Sequence, residues 1–162
     1  MCSSDLKDMS FFGPSWENYA NKIEENWKDC VKQEDLVLVP GDITWASTLE
    51  EAKIDLDWID KLPGTKVLIK GNHDYWWASN AKMEAALPPS IHSIYNNAFH
   101  WKDVSIGGGR LWDTSEYNFN EFIEFKENTR ENKKAPPSKE EIDKQFAKEV
   151  ERLKTKIGRA HV

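Results

Sequence analysis

The chain has 162 residues, a length that suits one domain with a modest core. Its 39% hydrophobic and 31% charged residues read as soluble and globular, and a formal charge of −6 argues against non-specific nucleic-acid binding, which needs a basic surface. No apolar run approaches the roughly 20 residues that span a bilayer, no signal-peptide pattern opens the chain, and two cysteines, Cys2 and Cys30, cannot build a disulfide framework. A cytoplasmic location without membrane attachment is the expectation, and composition leaves the oligomeric state open.

Taken in chain order, residues 15–31 read as an amphipathic helix. Trp16, Tyr19, Ala20, Ile23, Trp27 and Val31 recur at three- and four-residue intervals on one face. Leu36-Val37-Leu38-Val39 is a continuous apolar run, the pattern of a strand buried on both faces. It runs into Pro40-Gly41-Asp42. Ser47 and Glu50 form a predicted capping box for a helix with Leu49, Ala52, Leu56 and Ile59 on one side, stopped by Pro63-Gly64. A second run, Lys66-Val67-Leu68-Ile69, ends in Gly71-Asn72-His73-Asp74.

A short helix is expected over 79–87, closed by Pro88-Pro89, and strands over 91–95, 99–101 and 104–106. The polar stretch 113–137 reads as a long loop. Ser138 and Glu141 cap a final helix carrying Ile142, Phe146, Val150 and Leu153 on one face. Alternation of helix and strand with short connections implies βαβ units, a parallel sheet and an α/β fold.

Both strand candidates run into a glycine followed by polar side chains. In parallel α/β sheets the functional crevice lies at the carboxyl ends of the strands, so Asp42 and Asn72 are expected there. Gly41 and Gly71 permit backbone shapes that a Cβ makes costly. A carboxylate and an amide oxygen suit divalent cations, and the His73 imidazole exchanges protons near neutral pH. Asp74 could orient or charge-stabilise that imidazole. A single Gly-Asp is more often a turn or cap, and Asn-His-Asp can form a turn bonded to its own backbone. Two such blocks at two strand ends, one crossover apart, favour a functional site.

Around these blocks the sequence resembles a known family. Leu38-Val39-Pro40-Gly41-Asp42-Ile43 and Ile69-Lys70-Gly71-Asn72-His73-Asp74 resemble the second and third signature blocks of the calcineurin-like metallophosphoesterase superfamily. Trp45-Ala46, Leu62-Pro63-Gly64-Thr65-Lys66 and Tyr75-Trp76-Trp77 are similar to a bacterial branch of phosphohydrolases, and the likeness spans roughly residues 7–113. The resemblance implies a sandwich of two mixed sheets flanked by helices. It also implies a centre of two divalent metal ions (Mn, Fe or Zn) that hydrolyses a phosphomonoester or phosphodiester. Asp42 would match the carboxylate bridging the metals and Asn72 an amide ligand of one. His73 would match the histidine that stabilises the phosphoryl group or protonates the leaving oxygen, with Asp74 orienting it.

The family also carries an Asp-x-His block on its first strand, a later histidine and a Gly-His-x-His block, and the chain has none of them. The two ends offer a reason. Ile157–Val162 can be back-translated to a strand whose reverse complement, read from a GTG start, encodes Met1–Asp5. Residues 1–5 and 157–162 therefore resemble adapter sequence, leaving 7–156 as the N-terminal and central part of one domain. The expectation is a fragment that lacks the first strand and the C-terminal part, holds metal weakly and turns over no substrate alone. A non-catalytic phosphoesterase-like binding scaffold is the alternative.

Among weaker candidates, Arg110 after Gly107-Gly108-Gly109 could bind phosphate bidentately, though a solvated arginine on a flexible strand-end turn is the simpler expectation. Trp76 and Trp77 are expected to pack rather than to stack on a leaving group. His92 and His100 lack ligand partners at useful spacing and read as structural or surface residues.

Overall fold

The computed structural model describes residues 9–109, 111, 114–116 and 138–159. After two short 3₁₀ turns, Met9–Phe12 and Pro14–Trp16, the elements are α1 (Tyr19–Cys30), β1 (Leu36–Val39), α2 (Leu49–Asp60) and β2 (Thr65–Ile69). They continue with α3 (Asn80–Ala86), β3 (Ile91–Ile94), β4 (Ala98–Trp101), β5 (Val104–Gly107) and α4 (Lys139–Arg159). The expected α/β alternation is present. Strands β1, β2 and β3 form a parallel sheet in that order, with Leu36 opposite Thr65 and Lys66 opposite Ile91. Strands β4 and β5 form an antiparallel pair, so one sheet is parallel and the other antiparallel.

The core lies where α2 and α3 meet the parallel sheet. Ala52, Leu56, Leu68, Met83 and Ile91 are buried together with Ala46, Trp76 and Trp77. Central β2 is covered on both faces, as its apolar run implies. The outer strand β1 is not: Leu38 is 58% exposed, against the expectation of burial on both faces. Strand β1 has β2 on one side only among the described residues, so its side chains meet fewer neighbours.

Three local expectations shift. Helix α1 begins at Tyr19, because Asn18 adopts a left-handed conformation with φ 55° and breaks the turn before it. Trp16 therefore sits in a 3₁₀ turn against Tyr19. The helix buries no residue, and its tie to the body includes the Trp27 indole, which donates to the Pro63 carbonyl at 3.0 Å. The capping box of α2 is Thr48 with Glu51 rather than Ser47 with Glu50. Ser-Thr-Leu-Glu-Glu contains both registers, and the later one accompanies complete burial of Ala52 and Leu56.

The third shift concerns the glycine run that ends β5. Gly108 is buried, and a Cβ there would come within 2.9 Å of both Ile69 and Ile94. Close packing between the two sheets, rather than a flexible turn, calls for glycine. The Ser138–Glu141 box is present, with the Glu141 amide donating to Ser138 Oγ and the Ser138 amide to Glu141 Oε2. Those bonds hold the Glu141 carboxyl below its ordinary value. Helix α4 packs against β5 and buries Glu149, which Gln145 and Arg152 meet at 2.9 and 2.7 Å. Most of the expected 113–137 loop, and Arg110, lie outside the described residues.

Candidate active site

Parallel pairing of β1 with β2 delivers the Gly41-Asp42 and Gly71-Asn72-His73-Asp74 loops to the same edge of the sheet. The loops touch backbone to backbone. A Cβ on Gly41, whose φ is 103°, would lie 2.5 Å from the Gly71 Cα and nitrogen. A Cβ on Gly71 would fall 2.2 Å from Asp42 Oδ1. No larger residue fits either position without separating the loops. Asp42 itself holds a left-handed conformation, φ 54°, in which a non-glycine residue is strained and Asp is among the more tolerant.

That contact brings the expected donors together. The backbone N–H of His73 donates to Asp42 Oδ1 at 3.0 Å, linking the two loops. Asp42, Asn72 and His73 are all exposed, so their side chains are accessible from solvent. Asn72 makes no hydrogen bond among the described residues.

Asp74 does something different from what the sequence implied. Its carboxylate is fully buried and accepts four hydrogen bonds. Oδ2 takes the amides of Asp42 at 2.9 Å and Gly71 at 2.8 Å, and Oδ1 takes the Ile43 amide and the Trp76 indole at 2.9 Å each. Both oxygens are thus committed to the two loops. The expected bond to the His73 imidazole is not among them, because adjacent residues in this turn point to opposite sides of the chain surface: Asp74 is buried and His73 exposed. A buried charge held by several oriented donors is rigid and strongly bonded. Asp74 is the knot that sets the distance between the loops.

Around His73 stand two rings that sequence reasoning did not assign to the site. Trp45 and Tyr75 lie with ring centroids 6.0 and 6.1 Å from the imidazole. Trp76 and Trp77 are buried, as expected of packing residues. His92 stacks on Phe99 at 4.5 Å, and His100 Nδ1 pairs with Ser105 Oγ at 2.9 Å, both away from the loops. A signal for Asp74 was present in the sequence: an aspartate shortly after a glycine turn commonly accepts amides of its own loop. Nothing in the sequence reports the second loop's amides.

The donor set fits divalent metal in kind, since Asp42 and Asn72 offer exposed oxygens suited to hard cations. It falls short in number. No group of three or more His, Cys, Asp or Glu side chains able to hold a metal ion occurs among the described residues. Metal centres normally take three or more protein ligands.

Exposed oxygen donors and a histidine thus lie at the carboxyl edge of two parallel strands, the usual place for the functional crevice of such sheets. The calcineurin-like phosphoesterase family model matches residues 4–159, and the chain belongs to that family. The family's chemistry is metal-dependent phosphoester hydrolysis. Neither a curated protein nor a solved structure matches the chain. No helix among the described residues is long and apolar enough to cross a membrane.

Proposed function

We propose that this site serves hydrolysis of a phosphate monoester or diester at a centre of two divalent ions. Asp42 and Asn72 would hold the cations through their oxygens, and His73 would meet the phosphoryl oxygens or the leaving oxygen. The observation that supports the reading is the bond from the His73 backbone amide to Asp42 Oδ1, which ties the loop carrying Asn72 and His73 to the Asp42 carboxylate while all three residues stay exposed. Family membership supports the reaction class.

When bound, divalent cations neutralise developing charge on the phosphoryl group and orient it for in-line attack. The chain's own residues divide the remaining work. Asp42 and Asn72 would hold cations through oxygen. The His73 imidazole donates a hydrogen bond to a phosphoryl oxygen and can pass its proton to the departing ester oxygen. Asp74 takes no proton in this scheme and keeps the loops in register. With two oxygen donors among the described residues, the chain alone is expected to hold metal weakly and to hydrolyse aryl phosphates at background rate. A free, exposed Cys30 suits a reducing, cytoplasmic setting.

The roles separate in a binding experiment. In the presence of Mn²⁺, His73→Ala should keep the metal affinity of the parent chain and weaken inorganic phosphate binding by about tenfold, as expected for one lost charge-assisted bond. Asp42→Ala and Asn72→Ala should weaken Mn²⁺ binding itself. Equal loss of Mn²⁺ in all three variants contradicts this division. Phosphate binding that ignores Mn²⁺ favours the non-catalytic scaffold.

A further inference from the structure

We propose that the site takes phosphate esters whose leaving group carries a flat aromatic ring, received by Trp45 and Tyr75. The inference rests on the phosphoester reading above and adds a substrate class to it.

The chain contrasts two kinds of tryptophan close to the same turn. Trp76 and Trp77 are 2% and 9% exposed and fill the core, whereas Trp45 is 51% and Tyr75 70% exposed. The two exposed rings do not lie scattered. Both neighbour the His73 imidazole, tilted to it by 51° and 89°. Single exposed aromatics are ordinary, but a cluster of them beside ligating groups marks a place where something apolar docks. Offset and edge-on arrangements are those that aromatic partners prefer.

The backbone that carries both rings is also held in place before any ligand arrives. Trp45 sits between Thr44, whose hydroxyl donates to the Asp55 carboxylate of α2, and Ala46, which is buried and whose amide meets Thr44 Oγ1 at 3.3 Å. One residue earlier, the Ile43 amide is bound by Asp74. Tyr75 is fixed by its amide, 2.9 Å from the His73 carbonyl, within a turn whose next residue but one bonds back to the Asp74 carbonyl. With the backbone fixed in advance, only the side-chain torsions of the two rings remain to be ordered on binding. With His73 at the phosphoryl group, an aryl or nucleobase leaving group comes within reach of these rings. A glycerol or sugar leaving group gains nothing from them.

The test measures equilibrium binding of phenyl phosphate, adenosine monophosphate and glycerol phosphate to the whole chain with Mn²⁺, by ligand-observed NMR. Phenyl phosphate or adenosine monophosphate is expected to bind about tenfold tighter than glycerol phosphate, the scale of one ring stacked on one aromatic side chain. Trp45→Ala, Tyr75→Ala or both should bring the ring-bearing ester down to the affinity of glycerol phosphate, and Trp45→Phe should retain most of the preference. Preference for phenyl phosphate means that the ring sits on the ester oxygen, and preference for the nucleotide means that a sugar intervenes. Equal binding of the three esters, or a preference that survives loss of both rings, overturns the inference and leaves the phosphoester site standing. Phenol binding as tightly as phenyl phosphate also overturns it, by reducing the rings to an apolar patch. Binding of none of the esters overturns the phosphoester reading and this inference with it.

Discussion

The parallel sheet is tied at its amino edge by Lys66 and at its carboxyl edge by Asp74, and both side chains are fully buried. Lys66 Nζ reaches the Leu62 carbonyl, the Asp60 carbonyl at 3.3 Å and Ser90 Oγ at 3.1 Å, where α2 ends. A cation there satisfies orphan carbonyls and the negative end of the helix. Burial holds the Lys66 ammonium below its ordinary value, and the Asp60 charge opposes that shift. Asp60 in turn accepts the Ser90 amide at 3.0 Å and hydroxyl at 2.6 Å, joining α2 to the start of β3.

Asp74 collects amides where Lys66 collects carbonyls. The difference matters for function. At the amino edge all the polar side chains named above are spent on one another. At the carboxyl edge one buried carboxylate takes three of the loop amides and Asp42 Oδ1 takes the His73 amide, while Asp42, Asn72 and His73 remain exposed. One edge is a fastening, and the other is a fastening with a site built over it.

Substitution should separate the two. Asp74→Ala leaves three amides and an indole without their acceptor and is expected to cost about 3–4 kcal/mol in urea unfolding. It should also abolish phosphate binding, because the loops lose their common partner. Lys66→Met removes a buried charge together with its bonds, so the penalty is smaller, about 1–2 kcal/mol, with phosphate binding retained. Equal stability losses, or a binding defect in Lys66→Met, would break the contrast between the edges.

A weaker effect sharpens it by locating pH sensitivity outside the site. His92, packed on Phe99, is held below the ordinary imidazole value by burial. The unfolded chain then takes up the proton first as pH falls. Stability is full above the ordinary value of about 6.5 and declines below it, toward the lowered folded value. His92→Phe should flatten this acid-side decline in thermal unfolding without changing phosphate binding at neutral pH. A decline unaltered by the substitution would place its source elsewhere.

Much of this arrangement was legible in the sequence. The apolar runs at Leu36–Val39 and Lys66–Ile69 announced adjacent strands, and the glycine-led blocks announced where polar groups gather. Most of the features that escaped depend on partners distant along the chain. Asp74 is a residue of one loop, and half of the donors that its carboxylate accepts come from the other. Lys66 opens an apolar run with a charge, and only the end of α2 and Ser90 explain its burial. Gly108 looked like a flexible turn because the isoleucines it packs on lie on other strands. The capping register of α2 was ambiguous because consecutive residues offered two equivalent boxes. Trp45 and Tyr75 could not be told from the core tryptophans by residue type, since exposure is a property of the fold.

If Asp42 is a metal ligand at a site whose stability comes from elsewhere, Asp42→Gly separates metal binding from folding. Glycine relieves the left-handed φ of 54° but gives up the bond that Asp42 Oδ1 accepts from the His73 amide, so the two effects oppose and folding stability should change by less than about 1 kcal/mol. Mn²⁺ titrated into the parent chain and followed by the electron paramagnetic resonance of the free ion should show weak binding, about millimolar, as in sparsely liganded oxygen sites. In the glycine variant that affinity should fall at least about tenfold while the unfolding curve is preserved, the loss of one charged ligand. A folded Asp42→Gly chain that binds Mn²⁺ as well as the parent would contradict the account.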